Sequence, residues 1–403
     1  MTIEEDQAEK TGSMSGEGAG RATLPPANGI ASLRLFDFRN YAALDLAFDK
    51  RFVVFAGANG AGKTNLLEAI SLLSPGRGLR RAAYGDMARK DGAGAFSIRA
   101  DIEKDGDVLR VLTGVRNEPG SAAARTVKID QTQARSADEL LDLLRIVWLT
   151  PAMDGLFTGP AGDRRRFLDR MVLAIDPVHG RRAVDFERAM RSRNKLLSED
   201  RLDDRWLTGI EAQMAELGVA MAIARENLVA HLKTSGAAFD RAKAAFPQAG
   251  LDLQSGLADP DLSGPAVETE DRYRERLARE RYRDRAAGRT LEGPHRADLL
   301  VTHWEKAMPA GLSSTGEQKA LLVGLVLAHA RLTAHLSGLA PILCLDEIAA
   351  HLDQSRRASL FDLIGELGGQ AFMTGTDASL FDALGQRAQM VAVSEGAVQT
   401  LSS

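Results

Sequence analysis

The sequence predicts an α/β fold interrupted by a mainly helical insertion, and three observations carry that prediction. A glycine-rich turn, Gly57 to Thr64, falls between a buried strand and a helix. A second all-apolar strand, Ile342 to Leu345, ends far along the chain in the acidic pair Asp346-Glu347. Between them, from about Ala161 to Arg289, strand patterning fades and helical spacing takes over.

At 403 residues the chain exceeds what one hydrophobic core usually organises, so two lobes are expected. Its 44% hydrophobic and 26% charged residues are those of a globular protein, and a formal net charge of −4 excludes a wholly basic nucleic-acid coat while leaving room for a local basic face. Cys344 is the single cysteine, so no disulfide forms within the chain, no zinc cluster is possible, and a reducing, cytoplasmic setting is expected. The longest apolar run, Ala320 to Ala330, is too short to span a bilayer, and the N-terminus lacks the apolar core of a signal peptide. No membrane partner is expected.

In chain order, residues 1 to 28 are Glu, Gly, Ala and Ser with almost no large apolar side chain, which predicts a disordered tail. The first part of the nucleotide lobe, 29–150, opens with alternating strands over Ile30 to Tyr41 and Leu44 to Phe48, then the strand Arg51 to Ala56 and the helix Asn65 to Leu73. Ser97 to Glu103, Val108 to Val115 and Thr126 to Asp130 read as an antiparallel meander. A helix over Ala137 to Leu144 and a strand over Ile146 to Pro151 close this part. The helical lobe, 151–290, carries helices over Phe167 to Ala174, Ala183 to Leu197, Asp204 to Ser235 and Asp271 to Arg285, with a loop from Gln248 to Val267. In 291–403 strands and helices alternate again.

Gly57-Ala58-Asn59-Gly60-Ala61-Gly62-Lys63-Thr64 fits the phosphate-loop pattern G-x-x-x-x-G-K-[ST], and these residues are expected to bind the nucleotide together with Asn65, which opens the helix behind them. Glycines permit positive φ, so backbone N–H groups can close on phosphate oxygens at a helix N-terminus. Lys63 is positioned to reach the β- and γ-phosphates of ATP, and the Thr64 hydroxyl to hold Mg²⁺. Asp346 and Glu347 then form a Walker B pair: Asp346 for the Mg²⁺ water shell, Glu347 to orient or deprotonate the attacking water. An acidic pair after a buried strand is commonly just its solvated end; beside a phosphate loop it is specific.

Ser313-Ser314-Thr315-Gly316-Glu317-Gln318-Lys319 sits where ABC-type ATPases carry their signature motif, with Ser314 and Gly316 able to bind an anion at a helix start. An ordinary N-cap, Ser314 with Glu317, accounts for the same residues. Ala350-His351-Leu352-Asp353 follows as the D-loop does in that class. These features resemble an ABC-type ATPase head, a mixed sheet with an antiparallel β-meander and a second, mainly helical lobe inserted.

The resemblance narrows to the RecF family of bacterial DNA replication and repair proteins, in the branch related to SMC and ABC ATPases. Leu35-Phe36-Asp37-Phe38-Arg39-Asn40-Tyr41 carries it, with the phosphate loop, Thr150-Pro151, Gly159-Pro-Ala-Gly-Asp-Arg-Arg-Arg-Phe-Leu-Asp169, Gly293-Pro-His-Arg-Ala-Asp-Leu299, the signature, Asp346-Glu347 and His351-Leu-Asp353. It covers about Ile30 to Thr376. The chain departs from the pattern where Pro151 is followed by Ala152 rather than an acid, and where Thr315 replaces the glycine of transporters. Thr150 stands in place of the Q-loop glutamine, and no switch histidine follows Ala371 to Thr374, leaving Thr374 or Thr376 to substitute. Membership implies an ATP-dependent homodimer in which Ser314, Gly316 and Asp353 of one subunit complete the site on the other. It also implies slow, DNA-stimulated hydrolysis, binding to double-stranded DNA near single-strand gaps, and loading of RecA with RecO and RecR.

The residues lend DNA binding some support of their own. Asp163 to Lys195 holds ten Arg and Lys against five acids, and Arg164, Arg165, Arg191, Arg193 and Lys195 are the candidate phosphate contacts. Ion-paired helix surface explains the same composition, and explains better the eight Arg among four acids of Asp271 to Arg289. Of three rival readings, the sequence distinguishes two. A transporter ATPase subunit has a short helical subdomain and a switch histidine. An SMC- or RecN-like chromosome ATPase needs long heptad arms, which are not sustained here. A nucleotide-gated DNA scaffold with incidental hydrolysis carries the same motifs.

Overall fold

The computed structural model describes residues 28–116, 124–200, 203–237, 245–258 and 261–401; the expected tail, save Asn28, lies outside them. Two six-stranded sheets enclose the helix that follows the glycine loop. The first is the meander: β1 (Asn28–Phe38), β2 (Tyr41–Ala47), β4 (Phe96–Lys104), β5 (Asp107–Val115), β6 (Arg125–Ile129) and β7 (Thr132–Gln133), antiparallel in the order β2-β1-β4-β5-β6-β7. Its strands alternate because one face is buried and the other is solvated; β4 buries Phe96, Ile98, Ala100 and Ile102 in strict period two.

The second sheet runs β15-β14-β3-β13-β12-β8, with β3 (Phe52–Ala56), β8 (Ile146–Leu149), β12 (Ile342–Leu345), β13 (Ala371–Gly375), β14 (Ala388–Ser394) and β15 (Ala397–Leu401). All neighbours pair parallel except β14 with β15. β3, β8, β12 and β13 are buried along their whole length, and the all-apolar composition of β3, β8 and β12 follows from having both faces covered; β13 departs from it only near its end, at Thr374. α1 (Lys63–Ser71) fills the space between the sheets, with Leu66, Leu67, Ala69 and Ile70 in the shared core.

The other face of the second sheet is covered by α7 (Thr315–Ser337) and α8 (Gln354–Leu367), joined by α2 (Ala161–Leu173) and part of α4 (Asp204–Ala237) in one core. Both α4 and α7 are long and apolar enough to cross a membrane, so the expectation that the Ala320 run is too short understated the helix. The apolar surface of α7 is nevertheless spent inside the protein, where Leu321, Leu322, Val323, Leu325 and Val326 are buried. A smaller core, with Phe186, Met214, Val219, Tyr273 and Leu277, joins α3 (His179–Leu197), α4 and α5 (Ala266–Arg279). α5 ends at Arg279 and α6 (Arg281–Ala287) begins after the single cap residue Glu280, so the single helix expected over Asp271 to Arg285 is two.

The segment read as a loop from Gln248 contains a strand, β9 (Ala249–Gln254). It pairs antiparallel with β10 (Asp298–His303), which also pairs with β11 (Met308–Pro309). Its two glycine- and proline-rich flanks hid a short run whose partner lies some 50 residues away, and pairing rather than propensity makes it a strand. Ala137–Asp142 is a 3₁₀ turn capped by Ser136 rather than an α-helix.

Candidate functional site

The glycine loop leaves β3 at the edge where parallel strands end, and its glycines are required for different reasons. At Gly57 the φ is ordinary, but a Cβ would lie 2.1 Å from the Val393 carbonyl oxygen on β14. Gly62 has φ +115, and a Cβ there would meet Asn40 Nδ2 at 2.5 Å and the Tyr41 hydroxyl at 2.7 Å. Those neighbours brace the loop from the β1–β2 turn: Asn40 Nδ2 donates to Ala61 O (3.2 Å) and the Tyr41 hydroxyl to Gly62 O (3.1 Å). Asn65 donates to Asn40 Oδ1 (2.7 Å). Arg39 grips buried Glu68 of α1 through Nε (2.8 Å) and Nη2 (2.6 Å). Sequence reasoning quoted this turn as a motif without a role; its role is to set the loop's shape.

Lys63 folds back over the loop, donating from Nζ to Gly57 O (2.7 Å) and Ala58 O (2.8 Å). A buried ammonium held only by neutral carbonyls, beside free N–H groups at a helix start, is arranged to receive an anion.

Asp346 is carried to the same edge by β12 and is buried. The Thr64 hydroxyl lies 3.0 and 3.1 Å from its two carboxylate oxygens, and Thr374 Oγ1, at the end of β13, donates to Oδ1 at 2.7 Å. Thr374 Oγ1 in turn accepts from the backbone N–H of Glu347 at 2.9 Å. Glu347 sits in the left-handed region, φ +52, unfavourable for a non-glycine residue and fixed here by that bond. Thr374 therefore does not stand in for a γ-phosphate switch: fully buried, it orients both acids, and Thr376 is the exposed residue beyond the strand. A threonine hydroxyl beside one carboxylate is a hard-oxygen set suited to Mg²⁺, which takes few protein ligands and completes its octahedron with water and phosphate oxygens. Among the described residues no group of three or more His, Cys, Asp or Glu could hold a metal ion.

Ser314 caps α7 in a capping box with Glu317, so its hydroxyl is already engaged within the chain. A bond from Lys306, then those from Ser314, hold Glu317 down at a pKa of about 2. A Cβ at Gly316 would meet nothing within 4 Å, so this helix start faces open space. Asp353 caps α8 by accepting from Arg356 N at 2.9 Å. No hydrogen bond among the described residues joins Ser314, Gly316 or Asp353 to the glycine loop of the same chain.

The arginine candidates divide. Arg193 is wholly buried, bonded to Glu211 (3.0 Å), Asp284 (2.6 Å), Thr290 (2.9 Å) and Leu277 O (2.7 Å), so it is withdrawn as a DNA contact: it neutralises two acids inside the small core. Arg164 forks onto Asp298 (2.8 Å twice), and Arg165 donates to Ala297 O (2.7 Å). Arg225 bridges Asp169 (2.8 and 3.0 Å) to Pro294 O (2.6 Å). The motifs 159–169 and 293–299 thus brace each other, and Arg164 and Arg165 serve that brace rather than an open DNA face. Arg191 is exposed in a loose pair with Glu187 (3.7 Å), and Lys195 is exposed beside it. The Asp271 to Arg289 cluster is laced with ion pairs, including Arg281 with Glu211 and Arg276 with Glu292.

Residues 29–399 match the family model described as the RecF/RecN/SMC N terminal domain. A "DNA replication and repair protein RecF" from Rhizobium johnstonii is 62% identical over 377 residues, 93% of this chain and 100% of that protein. One of the same name from Rhizobium meliloti is 58% identical, covering 92% of this chain and 98% of its own length. Among solved structures, the recombination mediator protein RecF-ATPrS of the RecFOR pathway superposes with a TM-score of 0.82 at 22% identity, covering 94% of this chain and all of that one. Its ATP form superposes at 0.79 over 93% and 99%.

Proposed function

The chain belongs to the RecF family, within the RecF/RecN/SMC N-terminal-domain family, and on that premise we propose that it is an ATP-binding DNA replication and repair protein that hydrolyses ATP slowly and clamps DNA as a dimer. The observation that carries this reading is the junction of Thr64, Asp346 and Thr374. It brings the phosphate loop and the acidic pair, 282 positions apart, into direct hydrogen-bond contact at one sheet edge.

In this reading the loop N–H groups of Gly57 to Thr64 and the Lys63 ammonium take the triphosphate, Lys63 exchanging its two carbonyl partners for phosphate oxygens. Asn65 stays locked to Asn40 and holds the loop's far side. Thr64 and Asp346 would hold Mg²⁺, which supplies charge neutralisation on the phosphates. Glu347 orients the attacking water and takes its proton, aimed by the bond from its backbone to Thr374. Ser314, Gly316 and Asp353 are not joined to this site within the chain, which supports their completing it on a second copy; the capping box then opens to release the Ser314 hydroxyl. Lobe 151–290, inserted between 29–150 and 291–403, presents Arg191 and Lys195 to duplex DNA near single-strand gaps. Action with RecO and RecR in loading RecA in the cytoplasm extends the pathway of the structural relatives to this chain.

The test is gel-shift binding of Glu347→Gln protein to gapped duplex with and without ATP, alongside sedimentation. ATP should yield both dimer and DNA complex, and Lys63→Ala should abolish both. A variant that stays monomeric with ATP overturns the clamp.

A further inference from the structure

Along the outer edge of β8, separated from β3 by β13 and β12, runs a cleft of about 790 Å³ between the 74–81 turn and helices α2 and α3. No residue of the glycine loop lines it. Its volume lies within the range of pockets for nucleotide-sized ligands and is far too small to seat a duplex.

Arg77, Arg81, Arg166 and Arg170 converge on this cleft. It also holds Asp163, Asp169 and Glu187, but each is engaged: Asp163 by Arg166, Asp169 by His179 and Arg225, Glu187 by Arg191. Among the described residues Arg77, Arg81 and Arg170 have no carboxylate partner. Arg170 rests 4.4 Å over the Trp148 ring and reaches only the Met153 sulfur, at 3.5 Å. Burial first, and then the charge of Arg81, press its pKa below the usual range; Arg81 is itself lowered by burial, Arg166 and Arg77, against the smaller opposing charges of Glu187 and Asp169. Two buried polar atoms at the same wall have no partner: Trp148 Nε1, whose N–H is a donor, and His179 Nδ1, whose role follows from the tautomer because Nε2 faces Asp169; Trp148 is only 6% exposed. Unpaired buried polar groups are rare in folded proteins and point to a missing partner.

We propose that this cleft is a second anion site, taking the di- or triphosphate of a nucleotide-sized ligand on Arg77, Arg81, Arg170 and Trp148 Nε1, with Leu156, Phe167 and Val184 against its body. Three cations without a bonded carboxylate, of which Arg81 feels the nearby charges of Glu187 and Asp169, suit a ligand of two or three negative charges, which a lone carboxylate does not carry and a pyrophosphate does. The site is independent of the glycine loop and of any reading of that loop.

The test uses the full chain and two probes, ADP and inorganic pyrophosphate, in titration calorimetry. Wild-type protein should show two classes of ADP site. Lys63→Ala should retain only the cleft class, and the exposed pair Arg77→Ala/Arg81→Ala should weaken that class at least tenfold while leaving the loop class intact. In a Trp206→Phe/Trp304→Phe background Trp148 alone emits, and pyrophosphate should shift its emission even when Lys63 is Ala. A single class of site, or a second class indifferent to Arg77 and Arg81, overturns the proposal. So does an emission change produced by short duplex DNA and by neither probe, which would make the cleft a DNA contact.

Discussion

Replacing Thr374 by Val removes one hydroxyl and almost no volume, and the structure states what that hydroxyl does. It gives a buried hydrogen bond to the Asp346 carboxylate and accepts a half-buried one from Glu347 N–H. A bond to a charged acceptor contributes about 1.5–3 kcal/mol, and an orphaned buried N–H costs about 1–3 kcal/mol. Folding loses part of this, about 2 kcal/mol in urea unfolding, because water at the sheet edge partly replaces the hydroxyl. Catalysis loses more selectively. Glu347 is held at φ +52 by the lost bond, and once released it relaxes away from the attacking water. We expect single-turnover hydrolysis to fall roughly 30-fold, about 2 kcal/mol of barrier, while ATP affinity measured without turnover stays within about threefold. Half-saturation by Mg²⁺ should rise, since Asp346 is then positioned by Thr64 alone. Thr374→Ser keeps the hydroxyl and loses a methyl, about 1 kcal/mol of stability, and should restore the rate. Serine as slow as valine would show that the methyl contact, not the hydrogen bonds, matters; valine at the wild-type rate with unchanged Mg²⁺ dependence would refute the positioning argument outright.

Three further outcomes follow from the geometry. Arg193→Met strands Asp284 in the small core, leaves Glu211 to Arg281 alone, and should lower unfolding free energy by about 3–5 kcal/mol, with the salt slope of DNA binding in any surviving protein unchanged; a stable variant with a shallower slope would return Arg193 to the DNA surface. Gly62→Ala pushes a Cβ onto Asn40 and Tyr41 at a positive φ and should abolish nucleotide binding with a stability loss of about 1–3 kcal/mol, measured by calorimetry and thermal unfolding. Burial raises the Asp169 pKa, but the bonds from His179 and Arg225 outweigh it and bring it to about 2. Its stabilisation, about 2 kcal/mol, is present above its unfolded value near 4 and disappears as pH falls from 4 to 2; Asp169→Asn should be less stable at pH 6 and flatter across that window.

The sheet strands and the long helices were legible because periodicity reports burial: β3 and β12 are uniformly apolar where both faces are covered, and β4 alternates where one is. The loop and the acidic pair were legible because their chemistry requires fixed residue types at fixed spacing. Composition could not divide the arginines, since the same side chain serves a solvent face, a buried pair and a bidentate brace. Arg191 and Arg193 sit two positions apart on one helix and face opposite ways. Thr374 carried no signal either, because its role lies in two partners at sequence separations of 27 and 28. β9 was missed because its partner strand lies beyond a helix pair.

The strand that bears the glycine loop is flanked by β13 and β14, both from the end of the chain. During synthesis, residues 52–71 leave the ribosome with neither neighbour yet made. At about 5–20 residues per second the wait until Ser394 is polymerised lasts roughly 20–70 s. In that interval an uncovered apolar strand and helix are open to chaperones and to misfolded pairings, and ATP has nowhere to bind. A chain that stops before β14 carries every motif of the site yet lacks the strand that pairs with β3 and the Val393 carbonyl that lies behind Gly57, so the loop's shape depends on the last part of the protein to be made.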